Sequence, residues 1–387
     1  MMSFRILQVL PQLDSSGGGV QRGTLDLAGA LVKAGWQSMV ASAGGDHVPG
    51  LVRAGSQHFT LPLASKNPWR MWRNAAALAR LIRQQDISLV HARSRSPAWS
   101  AYWACRRTGV PLVTTFHGSY NHQNRLKRRY NAVMTFGQRV IAISGYIRDH
   151  IQQIYGTNPA KIRVIQRGVN LDQFDPAKVA TGRMVQLAKD WRLPDGAHVI
   201  MLPGRLTRWK GQLLLLEAMA QLNRPDLCCI LVGGDEGRTA YRQEVMDRIE
   251  QLGLAAQVKL VGRCQDMPAA YRLADVVVVP SLDPEAFGRT MAEGMAMGCM
   301  VVASDHGAAP EVLGHGQYGW LFPPGDATAL AAAIEAALGC NPAQRLAKAK
   351  TNQAFVAQHF GLTQMAAQTM AVYQELLNPL ASLPKAA

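Results

Sequence analysis

The chain has 387 residues, 48% of them hydrophobic and 17% charged, which suits two folded domains and excludes a disordered chain. No run approaches the roughly 20 apolar residues needed to span a bilayer. The net charge of +15 is lopsided: residues 1–190 carry 25 Lys+Arg against 8 Asp and no Glu, a net +17, and the remainder is −2, a field that favours an anionic partner such as nucleic acid, a phospholipid surface or an acidic acceptor.

Residues 4–10 are too short and polar for a secretory core and read as a strand. Six cysteines without a C-x-x-C pair read as reduced thiols, so a cytoplasmic protein is expected. From there, β-branched runs alternate with helical patterns. Residues 5–10, 38–41, 87–91, 112–116, 140–143 and 163–165 read as strands, with amphipathic stretches such as 24–34 and 72–84 between them. Strand-like runs at 199–203, 228–232, 258–261, 276–279, 300–303 and 319–322 follow. Apolar strands separated by helices predict parallel sheets covered on both faces.

Two such series predict an α/β chain of two doubly wound, Rossmann-like domains. The first would span residues 1–180, joined by a closing helix at about 362–387, and the second 181–361. The boundary is expected in the turn-rich stretch 175–197, and the tail from 379 reads as frayed. Ligands of open parallel sheets sit beyond the carboxyl ends of the strands. Two such domains facing each other would enclose a cleft, with the chemistry in the loops after strands.

Three such loops stand out. Ser15-Ser-Gly-Gly-Gly-Val-Gln-Arg-Gly23 follows the first strand and opens a helix. Glycines there let a backbone approach a phosphate at a helix N-terminus; a plain tight turn is the alternative. The spacing is not the dinucleotide G-x-G-x-x-G, which disfavours a nicotinamide dehydrogenase. Gly204-Arg205-Leu-Thr-Arg-Trp-Lys210-Gly211 follows the first strand of the second half. Its Arg205 and Lys210 suit a diphosphate leaving group, or form a solvated basic loop. Asp283-Pro-Glu285-Ala-Phe287-Gly288-Arg289-Thr-Met-Ala-Glu293 follows the strand at 276–280. Glu285 is expected in the loop and Glu293 about two turns into a helix, flanking free amides at its start. Either carboxylate can accept two hydrogen bonds from vicinal hydroxyls; the plain alternative for Glu285 is to complement the helix dipole.

In this order the three loops resemble glycosyltransferase family 4, retaining enzymes of the GT-B fold with two facing Rossmann-like domains, of the bacterial cell-envelope and lipopolysaccharide type. The resemblance covers essentially the whole chain and is more specific in the second half. It implies transfer from a nucleotide diphosphate sugar, a co-substrate rather than a cofactor, with no metal required. It implies that Glu293 holds ribose hydroxyls, that Arg205 and Lys210 grip the diphosphate, and that Glu285 meets the transferred sugar. The amides of Phe287, Gly288 and Arg289 would face sugar and phosphate, and Gly18 and Gly19 the distal phosphate. His117, in Thr115-Phe-His117-Gly118, matches the family's active-site histidine, against a plain structural histidine. Gly234, Arg263 and Met267 fall in the base-binding region. Arg289 departs from the apolar residue many members carry, and Gly294 from the commoner alanine.

The same resemblance assigns the basic first domain to the acceptor. Trp69 and Arg70, with Arg125, Lys127, Arg128 and Arg129, form basic and aromatic clusters that suit anionic lipid headgroups. An anionic glycan or lipid-linked acceptor, lipopolysaccharide core among them, and peripheral contact with the cytoplasmic face of the inner membrane are expected; a solvated basic face with buried tryptophans is the alternative. Rival functions are a sugar-nucleotide epimerase or phosphorylase on the same fold, or a nucleic-acid-binding protein, which leaves Glu285 and Glu293 unexplained. Nucleic acid is not the expected partner.

Overall fold

The computed structural model describes residues 4–14, 18–120 and 124–378. The chain divides into two compact units, residues 1–168 with 362–387, and residues 169–361. The division therefore falls at 168/169 rather than 180/181. Residues 169–180 belong with the second unit, where the Val169 amide donates to the Phe360 carbonyl at 2.7 Å. The stretch 175–197 drew the boundary through its turn residues, yet it holds a helix, Thr181–Asp190, with no buried residue.

Seven strands form the first sheet: β1 (Arg5–Val9), β2 (Gln37–Ser42), β3 (Gln57–Thr60), β4 (Leu89–Ala92), β5 (Leu112–Phe116), β6 (Arg139–Ala142) and β7 (Ile162–Val164). All pair in parallel, in the order β3-β2-β1-β4-β5-β6-β7. The second sheet holds β8 (His198–Pro203), β9 (Leu227–Val232), β10 (Val258–Gly262), β11 (Val276–Val279), β12 (Met300–Ser304) and β13 (Trp320–Phe322). These are also parallel, in the order β10-β9-β8-β11-β12-β13. Central strands are buried runs because helices cover both faces; β11 is four valines, all buried. Strand β3 was not anticipated: it is a polar edge strand without a buried residue.

Strand order reverses between β1 and β4, and again between β8 and β11. Loops leaving such a pair diverge and open a crevice at the carboxyl ends. The tail of the chain returns to the first unit as the helix Leu362–Leu377. Its Ala366, Val372 and Tyr373 share a core with Ile6, Leu27, Leu89 and Val113. Its Glu375 takes ion pairs from Arg139 at 2.8 Å and Arg163 at 2.9 Å. Tyr373 Oη lies 2.6 Å from Nδ1 of the buried His91. Replacing Tyr373 by Phe leaves that nitrogen unpartnered, a loss of about 1–3 kcal/mol. Native-state hydrogen exchange should report it as weaker protection of the closing helix; unchanged protection would show that the hydroxyl contributes nothing.

Candidate functional site

The second unit gathers charge at its strand reversal. After β8 the chain runs through Gly204 and Arg205 into a single turn, Arg208–Lys210, and the next helix starts at Gln212. Gly211 joins them with φ +73°, and a Cβ there would collide with the Pro280 carbonyl. Only glycine meets both demands. This close approach ties the loop after β8 to the loop after β11, and the Leu282 amide donating to the Trp209 carbonyl at 2.7 Å ties it again.

Lys210 Nζ donates to Glu285 Oε1 at 2.5 Å, with the two side chains 13% and 11% exposed. Ser281 Oγ donates to the same oxygen at 2.7 Å. The backbone of Glu285 is held by the loop after β12: Ala308 N donates to its carbonyl at 2.8 Å, and a Cβ on Gly307 would come within 2.7 Å of its nitrogen. His306 Nε2 lies 2.8 Å from the Ser281 carbonyl.

The helix following Glu285 is Arg289–Ala296, with Gly288 at its N-cap in the left-handed region, φ +81°. Phe287 points away from the loop into the core, edge-on to Phe360 at 5.4 Å. Glu293 therefore sits just over one turn into the helix, not two. Its carboxylate is buried and already engaged: Arg289 Nε and Nη2 reach Oε1 at 2.9 and 2.8 Å, and Tyr271 Oη donates to Oε2 at 3.1 Å. Burial, then the neighbouring carboxylate, push the Tyr271 phenol well above its usual range, so it acts as a donor. Oε1 thus takes two donors already, while Oε2 keeps a lone pair for a further hydroxyl. At Gly294 a Cβ would touch Val277 at 3.4 Å, ordinary contact, so packing does not require the glycine.

Arg205 and Lys210 share a loop but take different partners. Arg205 pairs with Glu236 at 3.3 Å, and the same carboxylate faces Arg238 at 3.4 Å and Arg263 at 3.6 Å. Gly234 lies beneath Arg263, whose Nε would be 2.9 Å from a Cβ at that position. Met267 opens a helix capped by Asp266, which Arg183 grips in turn. Ser281, Tyr271, Glu236 and Gly307 were not anticipated. Of these only Glu236 carried a signal, in the loop Gly233-Gly-Asp-Glu-Gly-Arg238.

In the first unit, Gly18 caps the helix Gly19–Lys33; Ser15, Ser16 and Gly17 lie outside the described residues. His117 directly follows β5. Its ring nitrogens are buried without a hydrogen-bond partner among the described residues. Burial first, then Arg93, Arg167 and His91, hold it well below its ordinary 6.5. Arg93 and Arg167, beyond β4 and β7, were not anticipated.

The predicted surface clusters are exposed. Trp69 and Trp72 are 64% and 48% exposed and stack on each other at 5.3 Å, beside the exposed Arg70, on the helix Pro68–Gln84. Arg125, Lys127, Arg128 and Arg129 lie on the short helix Arg125–Asn131 with Leu126, 78% exposed. Both indoles are thus not core residues. Among the described residues, no helix is long and apolar enough to cross a membrane, and no group of three or more His, Cys, Asp or Glu is arranged to hold a metal ion.

Two parallel sheets with charged loops at each reversal of strand order are the architecture of two-domain, GT-B glycosyltransferases, and the chain is an enzyme of that class. The family model described as Glycosyltransferase Family 4 matches residues 17–173, and that described as Glycosyl transferases group 1 matches 186–353. A phosphatidyl-myo-inositol mannosyltransferase of Mycobacterium leprae is 30% identical, over 87% of each chain. A D-inositol 3-phosphate glycosyltransferase of Thermobispora bispora is 31% identical, over 72% of this chain and 70% of its own. A glycosyltransferase structure from Rickettsia africae is 34% identical with a TM-score of 0.89, covering 97% of this chain and 99% of that one. HepE of Anabaena, solved with UDP and glucose, is 25% identical with a TM-score of 0.82, covering 98% and 100%. The chain belongs to glycosyltransferase family 4.

The buried histidines give the first unit a pH dependence. His91 and His117 both stay neutral in the folded chain, below their ordinary 6.5, mainly because burial disfavours the cation. Below about pH 6.5 the unfolded chain binds protons the folded one refuses, so stability falls as pH falls. The slope is up to about 1.4 kcal/mol per pH unit for each group. Denaturant unfolding between pH 6.5 and 5 should show a shallower slope for His117→Gln than for wild type; equal slopes would mean that His117 titrates normally.

Proposed function

We propose that the chain transfers a glycosyl group from a nucleoside diphosphate sugar to an anionic or lipid-linked cell-envelope acceptor, with retention at the anomeric carbon. The observation that carries this reading is the set of charges around Glu285 and Glu293. Glu293, fixed by Arg289 and Tyr271, holds the ribose hydroxyls, the free lone pair of Oε2 accepting one of them. Lys210, held beside Glu285, and Arg205 neutralise the diphosphate as the glycosidic bond breaks. These two cations serve where other transferases use a divalent ion, so no metal is needed. Glu285 meets hydroxyls of the transferred sugar, and the amides of Gly288 and Arg289 face its phosphate. Gly234, Arg263 and Met267 border the base. The UDP and UDP-glucose held by HepE support a nucleotide-sugar donor and favour UDP as the first nucleotide to test.

Chemically, the anomeric carbon loses the phosphate oxygen and gains the acceptor oxygen on the same face. The departing phosphate takes the acceptor's proton, which needs no enzymic nucleophile. The lipid named in the mannosyltransferase relative supports a membrane-borne acceptor, with lipopolysaccharide core or a lipid-linked sugar as the specific classes. Trp69, Trp72, Arg70 and the basic helix Arg125–Asn131 would contact the anionic cytoplasmic leaflet peripherally.

Thermal-shift screening against UDP-, GDP- and ADP-sugars should find a nucleotide that stabilises the protein; no response to any of them counts against the reading. Glu293→Ala and Lys210→Ala should each lower transfer by roughly a hundredfold or more while keeping the native circular dichroism, and wild-type transfer should persist in a chelator. Full activity in either variant overturns the assignment. In vesicle sedimentation, Trp69→Ala with Trp72→Ala should weaken binding to anionic liposomes at low salt; equal binding by wild type and variant rejects that surface.

A further inference from the structure

The i,i+4 pair of Arg289 with Glu293 limits how much of that carboxylate a ligand can use. An ionised carboxylate offers about four acceptor positions, two on each oxygen. Arg289 reaches Oε1 with Nε at 2.9 Å and Nη2 at 2.8 Å, so two donors of one rigid fork fill that oxygen. Tyr271 Oη donates to Oε2 at 3.1 Å; its other acceptor, the Thr290 carbonyl, is farther away at 3.4 Å. A single position, on Oε2, is left for a ligand.

Neither occupant yields readily to a ligand hydroxyl. The side chain of Glu293 is 7% exposed, and a carboxylate so far from water needs its counterion. Arg289 brings that charge together with two donors, whereas a neutral hydroxyl brings one donor and no charge, so the exchange is unfavourable. Arg289 opens the helix Arg289–Ala296, and its spacing from Glu293 lets the fork close without moving the backbone. Tyr271 is 1% exposed, with Phe174 packed T-shaped against its ring at 6.0 Å, so its hydroxyl has no water to turn to.

We infer that Arg289 restricts Glu293 to one hydroxyl of the ribose, which makes position 289 specificity-determining for the nucleotide. This role rests on the nucleotide donor proposed above. An apolar side chain at 289 leaves Oε1 open, and the carboxylate can then take both vicinal hydroxyls, one on each oxygen. With arginine there, the second hydroxyl gains nothing from Glu293, and a nucleotide lacking it binds as well as its parent.

The probes are UDP, 2′-deoxy-UDP and 3′-deoxy-UDP, titrated calorimetrically into the full chain; GDP or ADP with the same two analogues replaces them if the thermal-shift screen selects that base. In the wild type, one analogue should bind roughly tenfold or more weaker than its parent, and the other as tightly as the parent. Arg289→Leu opens Oε1, so both analogues should then fall behind the parent by a similar factor. Arg289→Lys keeps the counterion but offers Oε1 a single donor in place of the fork. It should show the same change, and it serves if loss of the charge unfolds the unit. An arginine with a merely structural role would alter the affinity for all three nucleotides together and leave their ratios as in the wild type, which overturns the inference. So does a wild type that loses affinity equally with either analogue, or with neither. A chain that binds no nucleoside diphosphate overturns the donor reading and this role with it. One that binds nucleotide with unchanged ratios in both variants keeps the donor and loses only the role of Arg289.

Discussion

The contact on which the second unit's site depends is the ion pair of Lys210 with Glu285. Its two members come from the loops after β8 and β11, the strands between which strand order reverses. Both side chains are largely withdrawn from water, so each charge depends on the other as its counterion. The backbone around them is arranged accordingly. Gly211 takes a left-handed turn under the Pro280 carbonyl, and the loop carrying His306 and Gly307 closes on the backbone of Glu285. A crevice that would otherwise be the loosest part of the sheet is thus tied from three strands. A carboxylate aimed at a ligand hydroxyl needs such support, since misplacement by about 1 Å is costly to catalysis.

The two units handle charge differently. In the second, Lys210 faces Glu285, Arg205 faces Glu236 and Arg289 faces Glu293. On the function proposed above, an incoming diphosphate would compete with these carboxylates for their cations, and binding would be an exchange of partners. In the first, Arg93 and Arg167 lie against the helix Gly19–Lys33, with Asp26 the carboxylate that acts on Arg93. The net +17 of residues 1–190 against −2 for the remainder reaches into the interior and is not confined to the surface.

Much of the fold was legible because parallel sheets write a simple pattern: buried strands are apolar throughout, and helices separate them. Strand β3 escaped it, being a polar edge strand, and so did the helix Thr181–Asp190, which buries nothing and lies among turn residues. The motif residues were legible as loops after strands, but their partners were not. Tyr271, Ser281 and Gly307 reach Glu293 and Glu285 from elsewhere in the unit, and one sequence carries no mark of such contacts. Arg93 and Arg167 were hidden for the same reason: 74 positions of sequence separate two residues that meet on one helix face.

Arg289 shows what the site's geometry adds to its motif. A cation at the first position of a helix opposes the dipole, by about 0.3–1 kcal/mol, so propensity gives no reason for it. One turn further on, however, stands a buried carboxylate, and an i,i+4 spacing lets Arg289 reach Glu293 with Nε and Nη2 together. Tyr271 takes the other oxygen, so the carboxylate cannot rotate without breaking a contact on each side. An apolar residue at 289 would leave Glu293 to Tyr271 alone. The arginine that looked like a departure from the family pattern is, by its contacts, a support for the motif's second glutamate.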